Sequence, residues 1–260
     1  MSDPVLTRRD GDIATVTLNN PAKLNALTRD MWRRLGEAMR ELSSDAALRC
    51  VVLRGAGDQA FAAGADISEF RRERADVEQG RRYGALVHEA MRSVAECLHP
   101  TVALIRGACI GGGLEIASQC DLRVCGESSR FGVPIKNLGL TMAYGELEGL
   151  LALAGKAVTL ELLLEGRVLG AEEALQKGLV TRVVADDKVE EEAYASARRI
   201  ADGAPLVARW HKRFVRRLTP RAPPLTGAEQ DEGFACFGTE DYGIGVQAFL
   251  AKRKPGFTGK

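Results

Sequence analysis

The chain has almost no net charge, only three scattered histidines and no two cysteines in CxxC spacing. Each shortage removes a class of function. With 36 basic and 35 acidic residues the formal net charge is +1, so no global field draws the protein to nucleic acid or an anionic membrane. No window approaches the roughly 20 apolar residues of a membrane span. The opening MSDPVLTRRDGD has charges where a signal peptide needs an apolar run, so a cytoplasmic protein or an unprocessed organellar form is expected. His88, His99 and His211 are too dispersed for a metal site, and no Ser-His-Asp order emerges. Four of the six cysteines (Cys50, Cys97, Cys109, Cys120, Cys125, Cys236) sit in otherwise apolar stretches, and all six read as reduced core thiols of a cytosolic protein.

What is present is punctuation typical of alternating strands and helices. VLTRRDGDIATVTLN predicts a hairpin about Asp10-Gly11, and Thr28 caps a helix with the apolar face Met31, Leu35, Ala38/Met39 and Leu42. A strand RCVVLRG, a loop FAAGADI and an Arg/Glu-rich stretch at 69–82, expected to be a solvated, mobile surface, come next. A second amphipathic helix carries Tyr83, Leu86/Val87, Ala90/Met91, Val94 and Leu98, and His99-Pro100 ends it before the strand TVALIR. LEIASQ reads as a short helix and DLRVCG as a strand, so the pattern to about residue 185 is α/β. From about 187 the signals are helical, interrupted by the proline cluster PRAPP at 220–224.

The stretch GACIGGGLEIASQCD at 107–121 raises the chemical question. Glycine triplets mark a sharp bend or a close approach of the backbone. With LEIASQ helical behind them, Gly111, Gly112 and Gly113 present free N–H groups at a helix N-terminus, where the dipole favours developing negative charge. A tight turn that merely needs glycine is the plain alternative. A dinucleotide fold is disfavoured, because the GxGxxG spacing and the acidic residue about 20 positions on are both missing. FAAGADI at 61–67 is a second loop of small residues after a strand, able to approach a ligand closely.

The chain resembles the crotonase superfamily, the enoyl-CoA hydratase/isomerase family, from end to end. The resemblance rests on six motifs in family order: TLNNPAKLNAL at 17–27, FAAGADI at 61–67, GACIGGGLEIASQCDLRV at 107–124, FGVP at 131–134, ALQKGLVTRVV at 174–184 and AFLAKRKPGF at 248–257. It implies a spiral of repeated ββα units over 1–195 that binds acyl-CoA, and a helical C-terminal oligomerisation subdomain over 196–260. Trimers or dimers of trimers are implied as well, with Phe234, Phe237 and Phe249 expected in a buried interface. No cofactor is implied, because the coenzyme A thioester is itself the substrate.

In the family the thioester carbonyl is held by two backbone N–H groups, at positions matching Ala65 and Gly112. The CoA moiety is implied to lie along Ala22, Lys23 and Leu24 and along Ala63, Gly64, Ala65 and Asp66, with Ile67 and Ile135 also lining the substrate site. Lys23 is the expected phosphate contact, Arg71 or Arg72 a substitute for a family basic residue replaced by Ser68, and Lys254 in KRKP a further nucleotide contact. Family hydratases use two glutamates. Glu115 matches the first, but the second position is Ile135, which can neither give nor take a proton. Relatives that place an aspartate nearby have it at Ala143 here; Glu146, one helical turn on, is the remaining carboxylate, unless it serves only the helix N-terminus. The reading is an acyl-CoA enzyme, named hydratase by family, with Glu115 as acid/base. An enoyl-CoA isomerase and a non-catalytic acyl-CoA binder stay open.

Overall fold

The hairpin forms as expected: Val5–Asp10 (β1) and Ile13–Leu18 (β2) run antiparallel with Val5 opposite Leu18 and Asp10 opposite Ile13, and Gly11 supplies the positive φ of the turn. In this computed structural model, which describes residues 3–219 and 225–258, the hairpin opens a series of ββα turns. Helix Arg29–Ser44 (α1) completes the first. The second comprises Cys50–Gly55 (β3), Ala60–Ala62 (β4) and helices Phe70–Glu73 (α2) and Val77–Ala95 (α3). Thr101–Ile105 (β5), Ala108–Ile110 (β6) and Gly112–Gln119 (α4) form the third, and Leu122–Gly126 (β7), Arg130–Gly132 (β8) and Tyr144–Leu160 (α5) the fourth. Val168–Gly170 (β9), Ala171–Gln176 (α6), Arg182–Val184 (β10) and Val189–Ala201 (α7) follow, then Pro205–Leu218 (α8), Gly227–Glu232 (α9) and Glu240–Leu250 (α10).

From β3 onward the two members of each successive pair go to different sheets. One sheet has the order β1-β2-β3-β5-β7-β10, the other β4-β6-β8-β9. Beyond the hairpin every pairing is parallel except β8 with β9. Parallel strands are covered on both faces, which is why β5 is buried along its whole length. On one face lie α1 and α3, with Met31, Trp32, Leu35, Val87 and Met91 in the core; on the other α7 lays Val189, Ala193, Ala197 and Ala201 on Val52, Val102 and Leu104. Thr28 caps α1 as expected, its hydroxyl accepting the Met31 N–H at 3.2 Å.

Three expectations change, and one boundary falls within a helix. The stretch 69–82 is not a solvated strap: α3 begins at Val77, Phe70 is buried, and the Arg74 side chain is buried between rings. Leu98 lies beyond the end of α3 and is exposed. The division at 195/196 falls inside α7, because that helix goes on burying Ala197 and Ala201 on the sheet. Phe237 and Phe234 face inward within the chain, their rings occupying the space where Cβ atoms on Gly80 and Gly84 would stand, so only Phe249 of the three is exposed. The proline cluster 220–224 lies outside the described residues.

Candidate active site

Backbone packing explains each glycine of the triplet. Gly111, the residue before α4, has φ +50 and ψ −119, a conformation that excludes a side chain. A Cβ on Gly113 would stand 2.4 Å from the Ala62 carbonyl oxygen, and one on Gly112 would meet Leu27 and Trp32 at 2.8 and 2.9 Å. The second loop is as tight: Gly64 has φ +100, and a Cβ on Gly111 would be 3.6 Å from its Cα. The two loops therefore touch, glycine against glycine.

One residue past each of those glycines stands an unpaired donor. Leu27 N–H donates to Gly64 O at 2.7 Å and Asp66 N–H to Leu27 O at 2.8 Å, while Gly111 N–H donates to Gly132 O at 2.8 Å. Among the described residues the N–H groups of Ala65 and Gly112 have no protein acceptor. Two such donors in adjoining loops, one of them at a helix N-terminus, form the arrangement that stabilises an oxyanion.

The segments expected to carry CoA also come together. Leu24 has φ +52 and accepts the Ala63 N–H at 3.0 Å, placing 22–24 alongside 63–66. The Lys23 ammonium donates to Asp66 at 2.7 Å, and its side chain stays 54% exposed. Burial opposes ionisation of Asp66, but the bonds from Lys23 and Ser68 prevail and hold its pKa below the usual value. Asn25, also at positive φ, is fully buried, and its amide donates to Ala56 O and Ala60 O. Ile67 packs with Phe70 and Phe237, and Ala22 lies in a 3₁₀ turn. Arg72 is paired with Glu69 and Glu73. Lys254 is exposed beyond α10, and no described contact joins it to the other candidate residues.

Glu115 lies in the first turn of α4 and is buried. Burial raises its pKa well above the usual value; Glu146 adds to the rise and Arg74 opposes it. Glu146 opens α5: one carboxylate oxygen accepts the Ala143 N–H at 2.9 Å, and the other is 3.8 Å from His88 Nε2. Burial keeps the His88 imidazole below its ordinary pKa, and Glu146 partly offsets this. Ile135, in the 3₁₀ turn Pro134–Leu138, packs its side chain against the main core. Ala143, the other position that lacks a carboxylate, is buried and bonds through its backbone alone: its N–H donates to the Glu146 carboxylate and its carbonyl accepts the Glu146 and Leu147 N–H groups.

Arg74, His88 and Asn25 are site-building residues that the sequence reading missed. Arg74 was hidden by the charged run around it, and only the spacing to Phe70 and Tyr83, one to three turns of helix apart, could have marked it as an inward residue. Among the described residues no group of three His, Cys, Asp or Glu could hold a metal, and no helix is long and apolar enough to cross a membrane.

Comparison with known proteins accords with this geometry. A family described as enoyl-CoA hydratase/isomerase matches residues 8–260. A short-chain-enoyl-CoA hydratase of Clostridium acetobutylicum is 34% identical over 96% of this chain and 95% of its own length. Among solved structures, an enoyl-CoA hydratase/carnithine racemase from Magnetospirillum magneticum is 48% identical, with a TM-score of 0.83 over 100% of this chain and 97% of the other. A methylmalonyl-CoA decarboxylase in complex with 2-nitronate-propionyl-CoA has a TM-score of 0.88 at 28% identity, covering 98% of each chain. The chain belongs to the enoyl-CoA hydratase/isomerase family, the crotonase superfamily, and is an enzyme of that hydratase/isomerase type.

Proposed function

We propose that the protein hydrates the double bond of an enoyl-CoA thioester, with Ala65 and Gly112 N–H groups holding the thioester oxygen and Glu115 as the principal acid/base. The observation that carries this reading is the pair of unpaired N–H groups in touching loops with a buried carboxyl one turn along the same helix. Charge that develops on the thioester oxygen meets preorganised donors, one of which is typically worth about 3–4 kcal/mol. Glu146 takes the part of the second carboxylate that Ile135 cannot fill: it is close enough to raise the Glu115 pKa, and it is held in place by the Ala143 N–H. Only proton transfers and the addition of water are required, so no cofactor is invoked.

The CoA part lies along 22–24 and 63–66, where Lys23 keeps a donor for a phosphate oxygen beside its bonds to Asp66 and Ser68. Lys254 reaches the nucleotide only from the exposed tail. Six free, buried thiols fit a reducing cytoplasm. Assembly into trimers is supported by α8, which turns Arg209 and Lys212 inward and large apolar residues out. Arg209 donates to Ala46 O and Leu48 O and Lys212 to His99 O, while Trp210 is 46% and Leu218 80% exposed. An apolar helix face left in water is the mark of an interface.

A second reading, shift of the double bond within an enoyl-CoA, is favoured by Ile135, because one carboxylate suffices to carry a proton between carbons. Mixing the protein with crotonyl-CoA and with 3-hexenoyl-CoA separates the two: hydration removes enoyl absorbance from the first, isomerisation creates it from the second. Binding of both with no change in absorbance sinks both readings and leaves an acyl-CoA binder.

A further inference from the structure

Arg74 is an uncommon buried cation. It is 8% exposed, its guanidinium carbon lies 3.8 Å from the Tyr83 ring centroid and 4.8 Å from that of Phe70, and its Nε has no acceptor. Among the described residues no carboxylate lies within ion-pair distance of it. Stacking between two rings stabilises a cation but does not replace the hydrogen bonds that its N–H groups lose on leaving water. Two more polar groups nearby are in the same condition: Tyr242 Oη and His88 Nε2 are both buried without a hydrogen-bond partner. A buried donor without an acceptor calls for an acceptor-rich group, and Arg74 has a place for one beside it.

That place is a crevice beside the acid/base. Arg74 and Glu146 line it together with Leu140, Thr141, Phe234 and Phe237. Its volume is about 10 Å³, room for one water-sized group such as a carboxylate oxygen. Further entry displaces Phe234, a half-buried ring on the C-terminal segment. Ala143 and Glu146 at the start of α5 also line it, so the crevice adjoins the carboxylate that the proposed function pairs with Glu115.

We propose that Arg74 is a specificity-determining residue that binds a carboxylate at the far end of the acyl chain, making the preferred substrate an acyl-CoA with a terminal carboxylate. This rests on the acyl-CoA reading of the site. A planar guanidinium pairs with a carboxylate through two parallel N–H···O bonds, and a site that must bury an unpaired arginine for an uncharged acyl end discriminates against it.

The test compares glutaryl-CoA with butyryl-CoA by isothermal titration. Both are saturated and inert, and they differ only by a terminal carboxylate in place of hydrogen. The wild type is expected to bind glutaryl-CoA about 10–100-fold more tightly, a ratio that falls to near one in Arg74→Met and is partly restored in Arg74→Lys. Equal or weaker binding of glutaryl-CoA by the wild type overturns the proposal without any variant, so misfolding of Arg74→Met does not shelter it. Equal weakening of both ligands by Arg74→Met also overturns it, and makes Arg74 a counter-charge to Glu115. Binding of neither thioester by the wild type overturns the acyl-CoA reading itself, a result distinct from binding both alike.

Discussion

Gly113 is seated on Ala62: a Cβ at 113 would stand 2.4 Å from the Ala62 carbonyl oxygen. This close approach joins α4, with its glycines and Glu115, to β4 and the loop that follows it. Gly113→Ala must push the two apart, and overpacking of this kind costs about 1–3 kcal/mol. The expected result is a melting temperature lower by a few degrees, at about 2–4 °C per kcal/mol for a chain of this size, together with reduced turnover. A variant as stable and as active as wild type would show that the loops need no such contact.

Gly112→Pro tests the donor itself. Gly112 is the first residue of α4, a position where proline is otherwise tolerated, so the helix need not be lost. The ring does crowd Leu27 and Trp32, and circular dichroism must show that the fold survives. In a folded variant, loss of one oxyanion donor is expected to cut turnover about 10²–10³-fold. Unchanged turnover would remove Gly112 from the site.

Glu115→Gln has two separable outcomes. Turnover is expected to fall about 10²–10⁴-fold with CoA-ester affinity nearly unchanged. Stability should move the other way. The Glu115 pKa is raised above 4.5 by burial and by Glu146, against Arg74, so its contribution is full below 4.5 and is lost as pH rises through the folded value. Glutamine does not titrate. The variant should therefore gain on wild type as pH increases from 4.5, measured by urea midpoints at a fixed protein concentration, and a wild type that instead gains on the variant would contradict the burial argument.

The two touching loops were legible because their shape is in the backbone: glycine and alanine at Gly64, Ala65, Gly111 and Gly112 declare where side chains are excluded. The α/β order and the Thr28 cap were legible for the same local reason. What stayed hidden depends on chain segments far apart in sequence. Phe234 and Phe237 look like an interface until Gly84 and Gly80, two small residues one turn apart on α3, provide their seats. Arg74 looks solvated until Phe70 and Tyr83 enclose it. The division at 195/196 falls inside α7, because composition changes there while packing on the sheet does not.

Gly80→Ala and Gly84→Ala follow from those seats. Each Cβ would lie 2.3 Å from a ring carbon of Phe237 or Phe234. The rings must move outward, and the C-terminal segment with them. Faster amide exchange across 226–250 is expected, with the strands of the main sheet unaffected. Protection equal to wild type would mean that the rings find other places.

Glu146→Gln distinguishes a second carboxylate from a helix cap. The glutamine oxygen can still accept the Ala143 N–H, so α5 keeps its first turn, but the charge that faces Glu115 is gone. If Glu146 only caps the helix, turnover at its optimum stays as it is and only the pH dependence moves, through the lost charge. If it works with Glu115, turnover falls, by about 10²-fold or more for a lost acid/base. The pKa of Glu115 then falls too, because a neighbouring negative charge that disfavoured its ionisation has been removed. The acid-side limb of kcat/KM should shift to lower pH. Burial and Arg74 still act on Glu115 in the variant, so the shift is partial and the limb stays above that of an ordinary carboxyl. Loss of turnover with an unmoved limb would place Glu146 on the substrate without coupling to Glu115. His88 provides the check from the other side: it is 3.8 Å from Glu146, and His88→Ala should loosen Glu146 and reduce kcat more than it alters KM.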